Sequence, residues 1–134
     1  MNTATIKVRV AEHALHCWPN APDNRGYLRN PHRHLFNIEA ECEVTNDRRE
    51  IEFHNLQESV RQRFCLLRDV GTMNEWSCER IARELGAALA ELYRRRFTVS
   101  VWEDWECCGT VATEPQKESA PVGAPAGSSS RIGV

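Results

Sequence analysis

No run of about 18 consecutive apolar residues occurs in the 134-residue chain, so no segment is expected to cross a bilayer as a helix. The opening stretch MNTATIKVRV lacks the charged start, apolar stretch and small-residue cleavage site of a secretory signal, and a cytoplasmic location is expected. Six cysteines, at 17, 42, 65, 78, 107 and 108, include no CxxC spacing. In a reducing compartment disulfides are therefore not expected, and most of the thiols are expected to be buried. An excess of positive charge is also missing. The formal net charge is −2, which argues against the broad basic footprint of a nucleic-acid binder. The run Arg94-Arg95-Arg96 is the local exception and reads as the closure of a helix C-terminus, where cations suit the macrodipole. The expected partner is a small molecule, with neither nucleic acid nor membrane involved.

Large apolar residues almost vanish after residue 112, where the sequence becomes TEPQKESAPVGAPAGSSSRIGV. Such a segment cannot bury enough surface to offset its ordering entropy, and residues 113–134 are expected to form a disordered tail. Residues 1–112 then form a single domain, a length that fits one hydrophobic core.

Within that domain the apolar pattern changes period several times. Ile6, Val8 and Val10 alternate with Lys7 and Arg9, the signature of a half-buried strand with its even side inward. WPNAPDNRGYLRNP, with three prolines, a glycine and three asparagines, reads as a loop. From His34 to Val44 the alternation resumes, again even side in, and the turn chemistry at Asn46-Asp47 predicts a hairpin over residues 34–53. Leu56, Val60 and Phe64 at four-residue spacing predict a helix over about 55–66. Ser77 as N-cap, Glu79 in the first turn and the stripe Ile81, Leu85, Ala88, Leu89 and Leu92 predict a second helix. Phe97, Val99 and Val101 predict a last strand, with Glu103 next on the same side. This order predicts an α+β fold, an antiparallel four-stranded sheet with two helices on one face. Its open edges make oligomerisation an expectation.

Chemistry concentrates in NPHRHLF, residues 30–36. Side chains two apart on a strand share a face, so His32 and His34 can both reach one point at the strand's start. His16 has the parity of Val8 and Val10 and can join them, whereas His13 has the opposite parity and should point away unless a bulge intervenes. Three imidazoles with one open position are the make-up of a catalytic zinc site. The plainer reading is a set of hydrogen-bonded surface or core histidines. Cys17, beside His16, is either a nucleophile or fourth ligand, or a packed thiol against Trp18. Glu103 ends an inward-facing apolar strand, where an unpaired carboxylate would be costly. It would hold either a salt bridge or a ligand with adjacent N–H donors, such as a pterin or purine edge. The stretch WEDWECC leaves Glu106 as an alternative.

Taken in order, these pieces resemble the 6-pyruvoyltetrahydropterin synthase and 6-carboxytetrahydropterin synthase family, whose architecture is the tunnelling fold. ALHCW is similar to the stretch around the family's first metal histidine, and HRHLF to its HGHNY-type pair. EIEFHNL resembles the family's hydrophobic-Asp-Phe-x-Asp-Leu stretch, WSCERIA its PTAENIA-type helix start, and VSVWED its closing strand. The resemblance implies Zn2+ held by His16, His32 and His34, with Glu103 anchoring the substrate's pyrimidine-like edge. It also implies a lyase acting on dihydroneopterin triphosphate or a related pterin, in pterin or queuosine biosynthesis, and a homo-trimer or homo-hexamer joined through sheet edges. The chain departs from the family in two places. NRGYLRNP contains no cysteine where the family carries its catalytic one, and LLRDVGTMNEW contains no histidine for an Asp-His dyad. Asp69 is the candidate for the missing aspartate, while His54, Cys17, Cys107 and Cys108 are candidates for the other proton-transfer groups. Two alternatives follow from those departures: the same metal pocket serving a different purine-like or pterin-like substrate, or a non-catalytic pterin-binding module.

Overall fold

The structure, a computed structural model, describes residues 3–117. Four strands form one antiparallel sheet in the order β1-β2-β3-β4: β1 Ala4–His16, β2 His32–Val44, β3 Phe97–Glu103 and β4 Cys107–Thr113. Helix α1, Phe53–Asp69, and helix α2, Cys78–Tyr93, pack against it. The α+β architecture is the expected one. Among the described residues no helix is long and apolar enough to cross a membrane.

Even parity governs the buried face of β1 and β2, and odd parity that of β3. Val8, Val10 and Ala14 of β1 meet Phe36, Ile38, Ala40 and Cys42 of β2 in the core, joined by Phe97, Val99 and Val101 of β3. The helices close this face with Leu56, Val60 and Phe64 from α1 and Ile81, Ala82, Leu85 and Leu89 from α2. Burial of each large apolar side chain contributes roughly 1.5–3 kcal/mol. The α2 stripe is rotated from its expected position: Leu92 is exposed, and Gly86 and Ala90 are buried instead. Ser77 caps α2 as expected, its side chain accepting from the Arg80 N–H at 3.2 Å. At the other end Arg94 takes the left-handed C-cap conformation, with φ 55°.

The fourth strand comes from a different place than expected. Ile51–Phe53 do not return along β2, whose partners are β1 and β3. Glu52 instead caps α1, accepting from the backbone N–H groups of His54 and Asn55. Ile51 and Leu56 both join the core, in the positions of a hydrophobic staple around that cap. The sheet is completed by β4, whose Thr113 pairs with Phe97. Just beyond it the Gln116 N–H donates to Glu91, and Arg94 donates to the Gln116 carbonyl. The remainder of the expected tail, residues 118–134, lies outside the described residues.

Candidate metal centre

Register builds the site. In the β1–β2 ladder His16 stands opposite His32 and Ala14 opposite His34; in the β2–β3 ladder Phe36 stands opposite Glu103. Directly paired residues share a face. Three adjacent strands therefore present His16, His32, His34 and Glu103 together at one end of the helix-covered face. Phe36, fully buried, supports the group from beneath, with ring centroids 5.7 Å from His16 and 5.9 Å from His34. His13, opposite Leu35, is exposed on the other face. Parity alone placed the first strand's contribution at residue 16.

Each imidazole has one nitrogen tied to an oxygen acceptor. His16 Nε2 lies 2.5 Å from the Trp76 carbonyl, and His32 Nδ1 lies 2.8 Å from the Asn30 carbonyl. A carbonyl can only accept, so both nitrogens donate. His34 Nδ1 donates to Asp104 Oδ2 at 2.6 Å, and Asp104 Oδ1 accepts from the Leu35 N–H. That backbone donor, with His34, holds the Asp104 carboxyl below its ordinary value in spite of burial. In the neutral form of each ring the remaining nitrogens, His16 Nδ1, His32 Nε2 and His34 Nε2, carry the lone pairs. One ligand atom from each ring lies within 4.8 Å of the other two.

This arrangement could hold a metal ion. Metal-binding histidines commonly donate their other N–H to a carboxylate or a backbone carbonyl, which fixes tautomer and orientation. All three rings do so. Neutral imidazoles suit several first-row divalent ions, zinc among them.

Glu103 Oε2 lies 3.2 Å from His16 Nδ1 and 4.0 Å from His34 Nε2. The interaction with His16 draws the Glu103 carboxyl below its usual range against the effect of burial. For His16, burial pulls the pKa down, but Glu103 and the Trp76 carbonyl outweigh it and the net direction is upward.

A cavity of about 420 Å³ opens over this group. Its walls come from three places: Cys17, Trp18 and Leu28 of the segment after β1, Glu75–Glu79 at the start of α2, and Cys107 and Cys108 at the start of β4. Cys17 is buried in that wall. Cys78 was not anticipated. Burial, and after it the Glu103 charge, push its thiol far above the ordinary range, so it stays protonated. All six cysteines are free, but only Cys17 and Cys42 are buried; Cys65 and Cys78 are half-buried, and Cys107 and Cys108 are exposed. The expectation of mostly buried thiols fails because β4 is an edge strand whose start borders the cavity.

Two of the residues considered for catalysis stand elsewhere. Asp69 pairs with Arg68 at 2.8 Å and borders a separate hollow with His13 and Arg33. His54 sits in the first turn of α1 with its side chain 87% exposed, beside Glu52. Neither lines the histidine cavity. The two stand at opposite ends of a 17-residue helix, about 25 Å long, so a single cavity does not reach both.

No protein-family model matches the chain, and no curated protein matches its sequence.

Proposed function

We propose that the chain is a zinc-dependent lyase resembling 6-pyruvoyl- and 6-carboxytetrahydropterin synthases, acting on dihydroneopterin triphosphate or a related pterin. The observation that carries the metal part is the closeness of three imidazoles, one nitrogen of each lying within 4.8 Å of the others, in rings that are each held by a hydrogen bond to Trp76, Asn30 or Asp104. The order of the sequence motifs carries the choice of zinc and of a pterin. When bound, such an ion polarises a carbonyl and acidifies a hydroxyl. The chain's own part is to supply a cavity with Trp18 and Trp76 in its lining and a carboxylate, Glu103, for adjacent N–H donors. Elimination also needs groups that lift and return protons. Of those considered, Cys17, Cys107 and Cys108 line the cavity. Assembly through the outer edges β1 and β4 into a trimer or hexamer belongs to the same proposal.

A second reading is favoured by the positions of Asp69 and His54. With both outside the cavity, the same pocket would bind a different purine-like or pterin-like ring, or bind one without turnover. Zinc-loaded protein incubated with dihydroneopterin triphosphate, with products followed by mass spectrometry, separates the two. Release of triphosphate with a new pterin supports the lyase. Unchanged substrate with metal bound transfers the proposal to the second reading.

A further inference from the structure

The turn between β3 and β4 is built against local preference. Asp104 and Trp105 both lie in the left-handed region, at φ 52° and 65°. Such positions favour Gly, Asn or Asp, and a bulky side chain there is an outlier that persists only when its surroundings over-determine it. The surroundings of Trp105 lie on the face of the sheet opposite the helices. Its ring centroid is 5.4 Å from that of Trp102, and the Arg9 guanidinium sits over it at 4.5 Å. Arg9 is itself held by Glu39, its partner in the β1–β2 ladder, at 2.7 Å. A line of contacts therefore runs from β1 and β2 to the turn. Asn37, paired with both Ala11 and Trp102 on this same face, is only 2% exposed. Side chains there lie across the sheet rather than out into solvent.

The residue before Trp105 is the one that orients His34. Asp104 accepts from His34 Nδ1 at 2.6 Å and from the Leu35 N–H at 2.9 Å. We propose that Trp105 is a positioning residue for the histidine cluster: held by Arg9 and Trp102 on the far face of the sheet, its ring fixes the turn that aims Asp104 at His34. The inference rests on the metal reading above and leaves its three imidazoles and open position unchanged. A glycine at 105 would suit the backbone better, so what tryptophan adds is the ring and its contacts. A group that orients a site has to be held to within about 0.5 Å, and Asp104 sits on an open turn with its side chain 47% exposed. Its own hydrogen bonds reach only His34 and Leu35 of β2. The Trp105 ring ties the next residue of the turn to β1.

The test is a Zn2+ titration of the full chain against a chromophoric chelator, repeated with Co2+ and read by visible absorption. Trp105→Gly, which relieves the backbone and removes the ring, should weaken affinity about two- to fivefold, the size of an exposed cation–π contact, and shift the cobalt spectrum. Trp105→Phe, which keeps a ring for Arg9, should restore most of the loss. In an Asp104→Asn background Trp105→Gly should have no further effect. Equal affinity and an unchanged spectrum in Trp105→Gly overturn the inference while the three-histidine reading stands. An equal loss in the Asp104→Asn background also overturns it, because the ring would then act by a general loosening that bypasses Asp104. Failure of the unaltered chain to take up either ion overturns the metal reading and this inference with it. If Trp105→Gly does not fold, Arg9→Met decides, since it keeps Trp105 and removes only the cation over it. Weaker binding of both ions supports the proposal, and unchanged binding overturns it.

Discussion

Two carboxylates sit at opposite ends of the same sheet with contrasting surroundings. Glu50, near the end of β2, faces donors: its Oε1 accepts from the Thr45 N–H at 2.7 Å and from the Thr45 hydroxyl, and its Oε2 accepts from Arg95 at 2.8 Å. Arg95 also donates to the Glu43 carbonyl. Glu103, at the end of β3, faces imidazole nitrogens instead, His16 Nδ1 at 3.2 Å and His34 Nε2 at 4.0 Å. The first end is complete within the chain at any pH where Glu50 is charged, whereas at the second Glu103 is paired with His16 only when that ring carries a second proton. A group of partly buried polar atoms that the protein does not satisfy itself is where a ligand contributes most.

The largest effect is expected from removing the lone pairs. His32→Ala with His34→Ala should abolish metal uptake, a greater loss than the roughly 10- to 100-fold typical of outer partners. Circular dichroism should show the fold retained, because His32 is half-buried at the strand's start rather than in the core. Undiminished uptake by the double variant would show that the ion binds elsewhere and would end the contrast between the two carboxylates.

Next is the support beneath the rings. Phe36 is fully buried and lies under both His16 and His34. Phe36→Ala should cost about 3–5 kcal/mol in chemical denaturation, and part of that loss should reappear as weaker metal binding. A loss under about 1 kcal/mol would mean that the surrounding core collapses into the space.

A finer change leaves the rings in place and alters only what orients one of them. Asp104→Asn keeps an oxygen for the Leu35 N–H but removes the charge that receives His34 Nδ1–H. Metal affinity should fall about 10- to 100-fold, with thermal stability of the metal-free protein little changed. If stability falls and affinity does not, Asp104 serves the turn after β3 and not the histidine.

Much of this site was legible because it rests on parity. Two-residue alternation placed His16 with His32 and His34 and sent His13 to the other face. The partners of the rings were not legible: Trp76 and Asn30 contribute backbone carbonyls, which leave no mark on side-chain patterns, and Asp104 acts from a turn. Strand β4 was hidden for a different reason. Its inward position at Gly109 packs against the start of α2, where an added Cβ would lie 2.8 Å from the Glu79 backbone nitrogen. The close approach requires the smallest residue, which removes the apolar signal a strand is recognised by. At Ile51–Phe53 the error ran the other way, since three residues suited to a strand act as the staple, cap and first residue of α1.

The smallest expected effect tests the completed end. The Thr45 N–H, with Arg95 after it, holds Glu50 at about 2, below the ordinary 4.5. The folded protein therefore binds that proton more weakly than the unfolded chain does. The resulting stabilisation is fully present above about pH 4.5 and is lost as pH falls toward about 2. Glu50→Gln removes the titration while keeping an acceptor for Thr45. Urea denaturation of both proteins should show the unaltered chain more stable near neutral pH, with the difference shrinking through that acid window. A difference that stays constant would mean that Thr45 and Arg95 favour the side chain's shape rather than its charge, and the donor-rich end would then owe its stability to packing.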